Sequence, residues 1–192
     1  MLEYIGVFLS ATGVFFTTRR SLWNGPFAML ACLVYGWIFF NAKLYADMVL
    51  QGIFFTSTIY TWYSWIGQYK KQKRKQQDTT YLVLEPLTLS AVIIGMLFII
   101  IGTNLWGWSL YKWTDDPAPF IDAGLSCSSL LAQYWTAKRY RANWLLWIVI
   151  DTLYCGLFIN RALYPTSALF AGFVLLSIYG YIEWGRRAKN KI

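Results

Sequence analysis

Four side chains between residues 144 and 154 have the types needed to hold a flat cation. Trp144 and Trp147 offer indole faces, Asp151 a negative charge, and Tyr154 a ring with a hydroxyl. On a helix turning about 100° per residue they share an arc of about 80°. Asp151 lies ten residues past Arg141, or ~15 Å along such a helix. If the helix crosses a bilayer, that places the carboxylate near the midplane, where a charge is expected to face the bundle interior or a wet cavity. Two further stripes have the same character. Asp122, Ser126, Ser129 and Gln133 fall within about 60° of one another, and so do Gln51, Thr58, Trp62 and Trp65. Stacked indoles bind a flat ring, and a cationic ring better still. A buried carboxylate balances a charge that lipid cannot solvate, and Gln and Ser orient hydroxyls or amides. The expected ligand is small, planar, hydroxylated and cationic.

Each of these groups also has a plainer reading. Trp144 suits an interfacial aromatic belt, as do Trp106, Trp108 and Trp113. Asp151 suits a structural hydrogen bond to Tyr or Ser, and Asp122 a helix cap. Tyr179, Tyr181 and Trp184 suit packing. The run KKQKRKQQ suits a solvated loop touching anionic lipid.

The composition removes other chemistries. There is no histidine, the commonest general base and metal ligand. Cys32, Cys127 and Cys155 stand apart in apolar surroundings, without metal-type spacing. No nucleotide-binding motif and no carboxylate pair at reactive spacing is present, so we expect no enzyme activity, no cofactor and no metal. The net charge of +8 does not indicate nucleic acid, because the basic residues sit between apolar runs.

The elements that must position these groups are membrane helices. The chain has 192 residues, 57% hydrophobic and 14% charged, against about a quarter charged in soluble domains. Apolar segments fall at 2–18, 25–42, 46–68, 86–105, 118–137, 143–160 and 163–184, each long enough to span a ~30 Å hydrocarbon core. MLEYIGVFLS, without a basic leader or a cleavage site, reads as the first span. Fourteen of the 17 basic residues follow segments 1, 3, 5 and 7, and only Lys43, Lys112 and Arg161 fall on the other side. The positive-inside rule then predicts an external N-terminus and a cytoplasmic C-terminus.

Sliding the chain against itself by 119 residues pairs Ser10 with Ser129, Thr17 with Thr136, Arg20 with Arg139, Asn24 with Asn143, Tyr35 with Tyr154 and Asn41 with Asn160. It also pairs Leu44-Tyr45 with Leu163-Tyr164, Leu50 with Leu169, Phe54 with Phe173, Ile59-Tyr60 with Ile178-Tyr179, and Trp65 with Trp184. Spans 1–3 and 5–7 are thus two copies of one unit in the same orientation, with span 4 inverting the chain between them. The predicted fold class is an all-α integral membrane protein with seven transmembrane helices, arranged as two parallel three-helix bundles joined by linker helix 4. The bundles are residues 1–69 and 117–192, with a cytoplasmic loop and the linker helix at 70–116. Parallel repeats are a transporter signature, with the substrate held near the midplane between them.

NWLLWIVID with LFINRALYPTSALF, LYADMVLQGIFFTSTIYTWYSW and FIDAGLSCSSLLAQYWTAKRYRANW resemble the PnuC-type vitamin transporters, over about Trp23 to Trp184. The resemblance implies a SWEET-like fold and homotrimers in the bacterial inner membrane. It implies facilitated uptake of nicotinamide riboside, with relatives that carry thiamine or riboflavin, and a cytosolic kinase that traps the product. It makes Trp144, Trp147 and Gln133 ligand contacts, joined by Asn143 at the start of the motif. Asp151, where nicotinamide riboside members of the family carry an amide, and Thr58 and Thr61, which replace an Asn and a Gly, depart from the family pattern. The expected function is facilitated diffusion of a flat cationic vitamin by alternating access, with nicotinamide riboside first and thiamine as the alternative. The rival of another class is a membrane receptor that binds an aromatic ligand without moving it; a sugar transporter rests on fold analogy alone.

Overall fold

The computed structural model describes residues 2–41, 45–74, 83–114, 118–160 and 164–189. Lys43, Leu44, Lys75, Arg161, Leu163 and Lys191, used above for charge or repeat, lie outside the described residues. The described residues form seven helices: α1 (Leu2–Thr18), α2 (Asn24–Asn41), α3 (Tyr45–Arg74), α4 (Leu89–Trp113), α5 (Pro119–Ala137), α6 (Asn143–Asn160) and α7 (Tyr164–Lys189).

Local signals set the ends. Thr88 caps α4 by accepting a hydrogen bond from the Ala91 amide at 3.3 Å. Pro119 opens α5, where its missing N–H costs nothing. α1 and α5 stop in the same way. The Ser21 amide donates to the Phe16 carbonyl and the Arg20 amide to Thr17; the Tyr140 and Arg139 amides do the same to Trp135 and Thr136. This is the reverse turn that usually carries glycine at its left-handed position. Here Arg20 (φ 54°) and Arg139 (φ 62°) occupy that position, 119 residues apart. Two ends differ from the apolar segments. α3 continues to Arg74 because Lys and Arg are good helix formers once their charges reach water. α4 begins only after Pro86, which has no amide to donate, and runs on through an aromatic stretch to Trp113.

Among the described residues the helices form a closed ring of six. α1 packs on α2, α2 on α3, α3 on α5, α5 on α6, α6 on α7, and α7 back on α1. α1 does not reach α3, nor α5 α7, so each bundle is an open arc and the two arcs close on each other at α1·α7 and α3·α5. The 119-residue offset maps one of these seams onto the other. α4 stands outside and touches α5 alone. It rides close because Gly95 and Gly102 face α5, where an added Cβ would come within 2.9 Å of Leu131 and 2.8 Å of the Cys127 sulfur. Ile94, Leu97, Ile101 and Leu105 point outward, as lipid-facing residues do.

By length and apolarity alone, only α4 and Ser167–Arg186 read as spans among the described residues. The other helices are shorter or more polar because the ring buries their polar groups. Thr58 and Thr61 of α3, and Ser129 and Thr136 of α5, are all buried.

Candidate substrate site

At the end of the ring that carries most of the basic residues, the interior is filled by three tryptophans. Trp65 and Trp184 are repeat-mates, one on α3 and one on α7, and their rings meet at 6.2 Å. Trp144 of α6 stands edge-on to Trp184 at 5.5 Å. All three are essentially inaccessible to solvent. Gly180 makes room for Trp144: a Cβ there would sit 2.6 Å from the indole. The Trp144 Nε1 is buried with no hydrogen-bond partner among the described residues.

Further in, Trp147 packs against both this cluster and a second core of Leu125, Ala132 and Ile150. It is half-buried, one helical turn from Asp151. Asp151 is 95% buried. Ser177 of α7 donates to its Oδ2 at 3.5 Å, and no basic side chain pairs with it among the described residues. From α5, Gln133 donates to Thr58 at 3.3 Å and Thr61 at 3.5 Å, both on α3. Trp147, Asp151, Gln133, Thr58 and Trp144 therefore all belong to the interior of the ring.

The other expected residues make local contacts, and Tyr154 also packs with Trp147 on the second core. Asn143 is fully buried and donates to the Tyr140 carbonyl at 2.6 Å, fixing the turn into α6. Trp62 donates to the Leu22 carbonyl at 2.9 Å and lies over Gly25 of α2. Ser129 donates back to Leu125 at 2.9 Å within α5. Tyr154 packs on Phe170 at 5.0 Å. Gln51 lies beside α2, where its Cβ would be 3.8 Å from a Cβ added at Gly36. Three residues of this interior were not singled out as site residues: Ser177, Thr61 and Gly180. The repeat carried the signal for Ser177, which is the 119-residue mate of Thr58.

The repeat also shows where the interior is lopsided. The mates of Gln133, Trp144, Trp147 and Asp151 are Val14, Gly25, Ala28 and Cys32. The polar and aromatic groups of the second arc correspond to small or apolar residues at the equivalent positions of the first.

The family model of the nicotinamide mononucleotide transporters matches residues 1–186. The chain belongs to this family. It is similar to the nicotinamide riboside transporter PnuC of Escherichia coli, at 23% identity over 99% of this chain and 87% of the relative. It is similar to PnuC of Neisseria mucosa, at 23% over 92% and 69%, and to the riboflavin/roseoflavin transporter RibM of Streptomyces davaonensis, at 24% over 88% and 75%. A crystal structure of the vitamin B3 transporter PnuC has the same fold, with a TM-score of 0.77 at 20% identity, covering 98% of this chain and 82% of that one. Family members are membrane transporters, so the ring described here is that of a transport protein and not of an enzyme.

Proposed function

We propose that this chain is a facilitator for the uptake of nicotinamide riboside. The observation that carries the reading is Asp151: a buried carboxylate, inside the ring, one turn from Trp147 and without a basic partner among the described residues. A charge held at that depth calls for a counter-charge, and a cationic ring lying on an indole supplies one. Gln133 and the buried Trp144 N–H add donors for hydroxyls or a carboxamide. The same carboxylate disfavours the phosphorylated mononucleotide, whose added negative charge would face Asp151 with no nearby cation. The names of the relatives support a nicotinamide riboside substrate.

In this reading the chain lies in the bacterial inner membrane, with its N-terminus outside and its C-terminus in the cytoplasm, as the basic residues favour. It works as a homotrimer, the bundles 1–69 and 117–192 rocking about the site, and a cytosolic kinase traps the product. The test is tryptophan fluorescence and proteoliposome uptake with nicotinamide riboside, thiamine and riboflavin. Saturable quenching and uptake by nicotinamide riboside alone is the expected result. Uptake of thiamine in its place would reassign the substrate, and binding without flux would make the chain a receptor.

A further inference from the structure

The bonds between the two arcs have a pattern that the site does not use. The Trp65 Nε1 donates to the Thr136 carbonyl at 3.1 Å, across α3·α5. The Trp184 Nε1 donates to the Thr17 carbonyl at 3.1 Å, across α1·α7. The two bonds are one bond repeated 119 residues on. Each seam has a companion close by. Ser64 donates to the Ala137 carbonyl at 3.0 Å, and Arg19 lies 3.8 Å from the buried Glu183. All four contacts sit at the basic end, around the tryptophan cluster.

A segment of the linker covers this cluster. Arg139 holds it in place, donating to the Val83 carbonyl at 3.0 Å and to Glu85 at 3.1 Å. Glu85 pairs with Tyr140 in a single backbone bridge. Between these anchors Leu84 packs against the tryptophan cluster. An open cleft of about 460 Å³, bordered by Leu84, Leu87, Arg141 and Tyr181, lies beside it.

We infer that Trp65 and Trp184, strapped reciprocally to the opposite arc and stoppered by Leu84, are the gate of the transport cycle at the basic end. A ligand held by Trp147 and Asp151 meets this plug before it meets the solvent at that end. Moving the arcs apart there breaks both indole bonds and the Trp65–Trp184 contact together, which makes the opening one concerted event. The bonds are few and of ordinary strength, so the gate can reopen thermally.

The inference rests on the transport reading above, and the experiment separates the two. Cysteines replace Ser64 and Ala137 in a chain whose Cys32, Cys127 and Cys155 are changed to alanine, and nicotinamide riboside, thiamine and riboflavin are tried as labelled substrates. With the cross-link confirmed by mass, oxidation is expected to lower uptake at least tenfold and reduction to restore it, while ligand quenching in detergent stays within about threefold. Unchanged uptake in the cross-linked protein overturns the gate. If the reduced protein and its unmodified parent take up none of the three, it is the transport reading that fails. Trp65→Phe and Trp184→Phe keep a ring but remove the N–H. Each is expected to speed labelling of a Val14→Cys probe from the basic side about fivefold, with ligand binding retained. Unchanged labelling in both variants also overturns the gate.

Discussion

The two arcs are built on one frame and lined differently. The frame pairs are Thr17 with Thr136, Arg20 with Arg139, Asn24 with Asn143 and Trp65 with Trp184; the threonines and tryptophans repeat their side-chain bonds in both copies, and the arginines and asparagines repeat their backbone bonds. The lining pairs differ in size and polarity. In the first arc Ala28 sits against Gly13, where an added Cβ would reach the Ala28 amide nitrogen at 3.3 Å, and α1 and α2 pack along a long seam. In the second arc Trp147 takes the place of Ala28 and lies against Ala132, the mate of Gly13, and α5 and α6 meet along a shorter seam. In the transport reading that bulky indole acts as a wedge between α5 and α6, the two helices that also carry Gln133 and Asp151. In the same reading, symmetry serves the moving parts, and its loss serves recognition.

The largest effect should come from removing the wedge. Trp147→Ala is expected to weaken nicotinamide riboside binding by roughly 100-fold, since it deletes both a stacking face and buried area. Ala28→Ser, at the mate, should leave the affinity within about threefold; an equal loss would break the comparison. Asp151→Asn is expected to cost about 10- to 50-fold in affinity for a cation and little for a neutral analogue, read by fluorescence titration. Cys32→Ser should again be silent.

The glycines sharpen the contrast through stability. Gly180→Ala drives a methyl into Trp144 and Gly25→Ala drives one into Trp62, so thermal unfolding in detergent should show each destabilised by about 1–3 kcal/mol. Gly172→Ala enters open space and should be neutral or stabilising by up to ~1 kcal/mol. Glu85→Gln should matter least, below ~1 kcal/mol and less at high salt, because that carboxylate is 46% exposed.

Much of this was legible in the sequence, for identifiable reasons. Helix number and repeat show because lipid demands long apolar segments and because Asn, Arg and Trp matched at one offset. Asp151 was legible because a carboxylate in an apolar run is conspicuous. What angular position could not reveal is the neighbour across a gap. Trp62 and Trp65 share a face of α3, yet Trp62 lies over Gly25 while Trp65 fills the ring. Asn143 read as a contact; its amide nitrogen also fastens the turn through the Tyr140 carbonyl, a partner that only the turn brings to it, while its Oδ1 is buried without a partner among the described residues. Leu84 gave no signal at all, since an isolated leucine beside a polar loop acquires meaning only from what it covers.

The reciprocal bonds of Trp65 and Trp184 also bear on ancestry. Each tryptophan grips the helix end that its mate's copy provides, and the two mates touch where the pseudo-twofold axis passes. This is the pattern of an isologous interface, in which residue i meets j and j meets i. A lone three-helix unit already holds every group needed to pair with a second copy of itself. Duplication then had only to supply a crossing that kept both copies pointing the same way, and α4, attached to α5 alone, is that crossing.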